Sequence, residues 1–101
     1  LILSNAVRVA LVGLVRSLAN ERGAFGITVN NVMPGYTRTK RMEELFSDPA
    51  ALESVTREIP LGRLCEPEEF AAIVAFIASR KASFVTGASI PVDGGWIRAT
   101  L

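Results

Sequence analysis

Glu66, Glu68 and Glu69 place three carboxylates within four residues, a grouping that could serve acid–base work or hold a divalent cation. They surround Pro67, however, and a proline at the first helical position with carboxylates beside it is a helix start facing the positive end of the helix dipole. The structural reading is therefore the stronger one. Asn30 and Asn31 are adjacent amides inside an otherwise β-branched run, where an unpaired buried amide costs about 1–3 kcal/mol. They are expected to tie neighbouring loops to the sheet, with a catalytic asparagine as the less favoured reading. The sequence has one tyrosine, Tyr36, one cysteine, Cys65, and no histidine, which excludes His-based triads, His-ligated zinc, cysteine-rich metal sites and internal disulfides. Cys65 reads as a reduced thiol without catalytic duty.

Half of the 101 residues are apolar, enough for one small core and too few for two. Eleven basic against ten acidic residues give a net charge of +1, which supplies no strong field for nucleic acid or an acidic membrane. Val9–Val15, an uncharged apolar stretch, falls far below the ~20 residues that span a bilayer, and no charged n-region with a cleavage site opens the chain. The expectation is a cytoplasmic protein with neither nucleic-acid nor membrane partners. Leu1-Ile2-Leu3 runs straight into a helical pattern without an initiator Met, as though the chain begins mid-protein.

The elements that must position these groups follow from periodicity. Val7, Leu11, Leu14 and Leu18 recur at spacings of four, three and four, predicting a largely buried helix over Ser4–Arg22, with Ser4 as N-cap and Gly23 as the left-handed C-terminal residue. Ala6, Ala10 and Gly13 form a small-residue strip on it, suited to close helix packing. A strand is predicted from Ile27 to about Val32 or Met33, stopped by Pro34-Gly35. Tyr36–Lys40 is polar and basic, and two short helices broken at Asp48-Pro49 follow over a pocket. Another helix is expected from about Pro67 to Ser79 with Phe70, Ile73, Val74 and Ile77 on its buried face. Ser89–Val92 is the second strand, placed at a sheet edge by Pro91 and closed by an Asp93-Gly94-Gly95 turn. Strand, crossover helix and strand is the parallel α/β signature, and two strands alone are too few for a covered parallel sheet.

A helix followed by G-I-T-V-N-N-V-M-P-G-Y-T-R-T (26–39), I-P-L-G-R-L-C-E-P-E-E-F (59–70) and V-T-G-A-S-I-P-V-D-G-G (85–95) resembles the C-terminal portion of short-chain dehydrogenases/reductases, particularly the 3-oxoacyl-carrier-protein reductase-like members. The resemblance implies an α/β fold in which residues 1–101 form the C-terminal segment of a single Rossmann-like, doubly wound parallel domain, without its N-terminal cofactor-phosphate half. It implies NAD or NADP as cofactor, a small-molecule carbonyl or alcohol substrate, a link to fatty acid biosynthesis, and a homo-oligomer. Pro34, Gly35, Tyr36, Thr37 and Thr39 match the stretch that wraps the nicotinamide end in similar enzymes. Backbone groups of Tyr36 and Thr37 would meet the carboxamide, the Thr39 hydroxyl would meet the carboxamide or diphosphate, and Gly35 would permit close approach or an unusual backbone angle. That stretch lies where ligands of open α/β sheets bind, beyond the carboxyl end of a strand. Arg38, Lys40 and Arg41 next to it could greet the acidic tail of a thioester carrier, with solvated surface charge as the plainer alternative.

The family's Tyr-x-x-x-Lys relay is replaced. Counting back without a gap from Gly13-Leu14 sets Ser4 at the tyrosine position and Arg8 at the lysine position. Aligning Leu1-x-x-Ser4-Asn5 with Tyr-x-x-Ser-Lys instead puts leucine and asparagine there and needs three inserted residues. A serine hydroxyl is a poor acid, and an arginine can donate a hydrogen bond to the ribose but cannot release a proton. Tyr36 is a weaker candidate for a replacement acid. The leading expectation is part of an NAD(P)-dependent oxidoreductase moving a hydride between nicotinamide and a carbonyl or alcohol carbon, 3-oxoacyl thioesters included. The alternatives are a non-catalytic nucleotide-binding relative and an inactive fragment.

Overall fold

Helix-forming leucine, alanine and arginine with a last-turn Arg22 carry the first element, α1 (Ile2–Arg22), in the computed structural model, which describes residues 2–98. Then come β1 (Asn31–Pro34), α2 (Lys40–Leu45), α3 (Pro49–Glu58), α4 (Pro67–Ile77) and β2 (Ser89–Val92). β1 and β2 pair in parallel: Asn31 N–H donates to the Ala88 carbonyl at 2.8 Å and Gly35 N–H to the Val92 carbonyl at 3.0 Å, so both partners advance together. This is the expected α/β class, with the helices intervening between parallel strands.

The chain divides into two compact units, residues 2–32 with 74–90 and residues 33–73 with 91–98. In the first, α1 is already helical at Ile2, so Ser4 is its third residue and not an N-cap. At its other end the helix tightens into a 3-10 turn, Gly23–Phe25, and the left-handed residue is Gly26 (φ 72°), not Gly23. Gly26 N–H donates to the Gly23 carbonyl and Ile27 N–H to that of Arg22, using up end carbonyls that a side chain does not reach. The predicted strand begins later than its β-branched run. Val29 N–H donates to the Thr86 hydroxyl and its carbonyl accepts from Gly87 N–H, so this stretch meets the loop before β2 and laddering starts at Asn31.

The two asparagines act as expected from their type. Asn30 donates through Nδ2 to the Val85 carbonyl (2.9 Å) and accepts at Oδ1 from Ala88 N–H (3.2 Å), clasping the loop before β2. Asn31 Nδ2 reaches the Ser89 hydroxyl at 3.5 Å. Asn30→Ala leaves a backbone donor and a backbone acceptor unpaired, so it is expected to lower the unfolding free energy of the whole protein by about 1–3 kcal/mol in urea titrations.

The helix faces are more open than the periodicity predicts. Val15 and Ala19 are buried, but Val7, Leu11 and Leu14 are 58%, 44% and 52% exposed. The small strip of Ala6, Ala10 and Gly13 is likewise exposed. On α4, Ile73 and Val74 are exposed and Phe70 and Ile77 only half-buried. Apolar spacing reports which face seeks cover, and no layer among the described residues covers these faces. Ile2–Phe25 is also long and apolar enough, by length and composition, to cross a membrane. The short uncharged run suggested otherwise, because Arg8 and Arg16 interrupt the run without removing the apolar average.

In the second unit, Ile59 and Leu64 are the buried apolar anchors. Asp48 caps α3, accepting from Ala50 N–H at 3.2 Å with Pro49 at the first helical position, which is the break expected between two short helices. The Asp93 turn also forms as expected, its carboxylate accepting from the N–H groups of Gly95 and Ile97.

Candidate cofactor site

Pro34, Gly35, Tyr36, Thr37 and Thr39, the five residues expected to meet a cofactor, line one open recess of about 460 Å³ in the second unit. Pro34 ends β1 and Gly35 follows it. A Cβ built on Gly35 would lie 2.7 Å from both Cα and Cβ of Asp93, so the glycine is required by the close approach of the turn after β2. Its backbone is not in the left-handed region, so of the two expected reasons for a glycine here it is close approach that applies, not an unusual angle.

The loop's polar groups divide into those used internally and those left over. The Tyr36 carbonyl accepts from Cys65 N–H (2.9 Å), and Arg38 N–H donates to the Cys65 carbonyl (2.8 Å), forming a short parallel bridge between Thr37 and Cys65. Thr37 gives its hydroxyl proton to the Gly35 carbonyl, and its own carbonyl accepts from Thr39 N–H. The N–H groups of Tyr36 and Thr37 donate to nothing among the described residues. Thr39 caps α2, its oxygen accepting from Met42 N–H at 3.3 Å, which leaves the hydroxyl proton available. Met42, Pro67 and Phe70 complete the recess as an apolar wall. Sequence reasoning missed these three, although Met42 stands three residues after the capping Thr39 and Pro67 was recognisable as a helix start.

The Tyr36 ring makes edge contacts with Phe46 (centroids 6.3 Å apart) and Trp96 (5.5 Å), which anchor the residue whose main chain borders the recess. Ser4 and Arg8 are exposed on α1 in the first unit, one turn apart, and neither side chain has a hydrogen-bond partner among the described residues.

The glutamates serve structure. Glu69 Oε1 accepts from Glu66 N–H at 3.0 Å, closing the start of α4 from its third position. Its carboxylate also receives the two-pronged guanidinium of Arg63, at 2.6 and 2.9 Å. Chiefly through that fork, and secondarily through Glu66 N–H, Glu69 is pulled from the ordinary 4.5 to about 2, and Arg63 is raised in turn. A carboxylate with a depressed pKa contributes stability above its unfolded value, and that contribution disappears as the pH falls from about 4.5 towards 2. Arg38, expected among the charges that greet an acidic tail, is paired with Glu66 (Nε to Oε1, 2.9 Å); Lys40 and Arg41 have no ion-pair partner among the described residues. The half-buried Cys65 thiol donates to the Glu66 carbonyl at 3.3 Å.

A parallel βαβ arrangement with a ligand-sized recess beyond a strand's carboxyl end defines an α/β protein of Rossmann type. The family described as enoyl-(acyl carrier protein) reductase matches over residues 3–97, and the chain belongs to the short-chain dehydrogenases/reductases. It is 47% identical over 90 residues to the 3-oxoacyl-[acyl-carrier-protein] reductase of Pseudomonas aeruginosa, covering 89% of this chain and 36% of that protein. Among solved structures, 4-hydroxyisoleucine dehydrogenase complexed with NADH is similar at TM-score 0.86 and 33% identity, over 94% of this chain and 39% of that one. A putative 2-deoxy-D-gluconate 3-dehydrogenase from Agrobacterium tumefaciens with bound NADP is similar at 0.85 and 39% identity, over 93% and 38%. The chain thus spans less than two fifths of the length of these proteins.

Proposed function

We propose that the whole protein is an NAD- or NADP-dependent oxidoreductase acting between a small carbonyl compound and its alcohol, with 3-oxoacyl thioesters as the leading substrate class. The observation that carries this reading is the gathering of Pro34, Gly35, Tyr36, Thr37 and Thr39 around one recess, with two N–H donors and a hydroxyl proton unspent there. Those donors suit the carboxamide of a nicotinamide, and Met42 and Phe70 suit its flat apolar ring. When bound, the cofactor supplies the hydride chemistry; this chain supplies orientation. Tyr36 and Thr37 would hold the carboxamide through their main chain, Thr39 would donate its hydroxyl proton, and Pro67 and Phe70 would keep water off that wall. Arg8 would donate to the ribose, and Ser4 would occupy the place of the family's tyrosine.

In this reading residues 1–101 are the C-terminal part of one Rossmann-like domain, and the exposed apolar face of α1 packs within that domain. The protein is cytoplasmic and homo-oligomeric, without nucleic-acid or membrane partners. The 3-oxoacyl substrate class follows from the similarity to the Pseudomonas reductase, as does a role in fatty acid biosynthesis. Ser4 and Arg8 in place of Tyr and Lys favour a second reading, a non-catalytic nucleotide-binding relative.

Calorimetric titration of the whole protein with NADH and NADPH, followed by turnover assays on ketones and 3-oxoacyl thioesters, separates the two. Binding with turnover is expected for the enzyme. Binding without turnover assigns the second reading, and no binding removes both.

A further inference from the structure

Tyr36 lines both the recess and a second, smaller cavity of about 100 Å³, where Arg63, Cys65 and Glu69 are also among the lining residues. The Tyr36 ring packs against Phe46 and Trp96, and polar ties hold the main chain that follows it. Those ties converge on the Cys65 peptide, which accepts from Arg38 N–H and donates to the Tyr36 carbonyl. Residues around Cys65 belong to no helix or strand, so something else must hold that peptide. Arg63 and Glu69 do so from both sides: the guanidinium grips the Glu69 carboxylate while donating to the Leu64 carbonyl at 3.2 Å, and the same carboxylate accepts from Glu66 N–H. Every residue between Arg63 and Glu66 is thereby fixed against the first turn of α4, and Leu64 is buried beneath. The Arg38–Glu66 pair ties the same two segments again on the outside.

We propose that Arg63 and Glu69 are positioning residues that, through the Cys65 peptide, hold the unspent N–H groups of Tyr36 and Thr37 in the geometry that receives the nicotinamide carboxamide. The proposal rests on reading the recess as the nicotinamide site. A guanidinium fork on a carboxylate suits this task better than a lone charge, because two parallel hydrogen bonds fix orientation as well as distance.

The test uses the whole protein with Glu69→Gln, which keeps an acceptor for Glu66 N–H but removes the charge, and Arg63→Lys, which keeps the charge but removes the fork. Affinity is measured by calorimetry for the intact dinucleotide and for ADP-ribose or its 2′-phosphate, which lack the nicotinamide. Positioning predicts roughly tenfold weaker binding of the dinucleotide and a comparable rise in its KM, with ADP-ribose affinity and kcat at saturating cofactor within about threefold of the parent. Equal losses for both ligands in both variants would show a merely structural role and overturn the proposal, as would unchanged dinucleotide binding. If Glu69→Gln does not fold, the milder Arg63→Lys decides by the same comparison. Should the parent bind neither ligand, the nicotinamide reading itself fails and the proposal falls with it, an outcome distinct from a parent that binds and variants that do not differ from it.

Discussion

Gly35→Ala is expected to lower the unfolding free energy of the whole protein by about 1–3 kcal/mol, the range for forcing extra volume into a packed site, and to weaken dinucleotide binding by more than roughly tenfold. The added methyl would sit 2.7 Å from Cα and Cβ of Asp93, and a main-chain Cα cannot swing aside as the end of a long side chain can. Neither partner yields cheaply. Gly35 N–H is bonded to the Val92 carbonyl, and the Asp93 carboxylate is engaged by Gly95 and Ile97 N–H groups, so separating the two costs hydrogen bonds on both sides. Any movement of residue 35 also displaces Tyr36 and Thr37, whose N–H groups point the proposed site at its ligand. Urea unfolding and calorimetry on the same preparation check both halves; a variant that matches the parent in both would show that the Asp93 contact governs neither stability nor binding.

What could be read from the sequence was what depends on local chemistry. Pro67 with its flanking glutamates gave the start of α4 and its structural role, because a proline and a carboxylate act within one helical turn. Asp48-Pro49 separated α2 from α3 for the same reason, and the Asn30–Asn31 pair was legible as a loop tie because a buried amide must find partners. Pro34–Thr39 was legible through resemblance, since a proline and glycine after a strand read as an ordinary turn without it. Non-local features were hidden. The requirement for glycine at 35 comes from Asp93, 58 positions away, and the Arg63 fork depends on the loop folding back over α4. Periodicity marked the apolar face of α1 without showing whether anything among these residues covers it. The end of α1 at Arg22 was legible, but not the left-handed residue beyond it: Gly23 and Gly26 both suit that place, and only the intervening 3-10 turn selects the second.

Ser4→Tyr combined with Arg8→Lys is expected to raise carbonyl reduction by the whole protein about 10²–10⁴-fold, the usual contribution of a positioned general acid, if the missing proton donor is what limits it. The two residues stand four apart on α1, so the new side chains would share one face of the helix a turn apart. A tyrosine with an ordinary pKa near 10 becomes a useful acid near neutrality when a cation beside it favours the phenolate, and serine has no comparable range. Arginine supplies the charge but holds its proton, so Arg8 fits ribose binding better than relay; Arg8→Ala is expected to weaken cofactor binding by about 1.5–3 kcal/mol, as for a charged hydrogen bond. The measurements are dinucleotide affinity and turnover on ketones and 3-oxoacyl thioesters for the parent, Arg8→Ala and the double variant. A parent that binds cofactor without turnover and gains activity on double substitution has lost only its relay. A parent that already turns over readily draws its proton from another donor, and the double change then brings little gain. Cofactor affinity unchanged by Arg8→Ala would remove Arg8 from the site and, with it, the ungapped alignment that sets Ser4 at the tyrosine position.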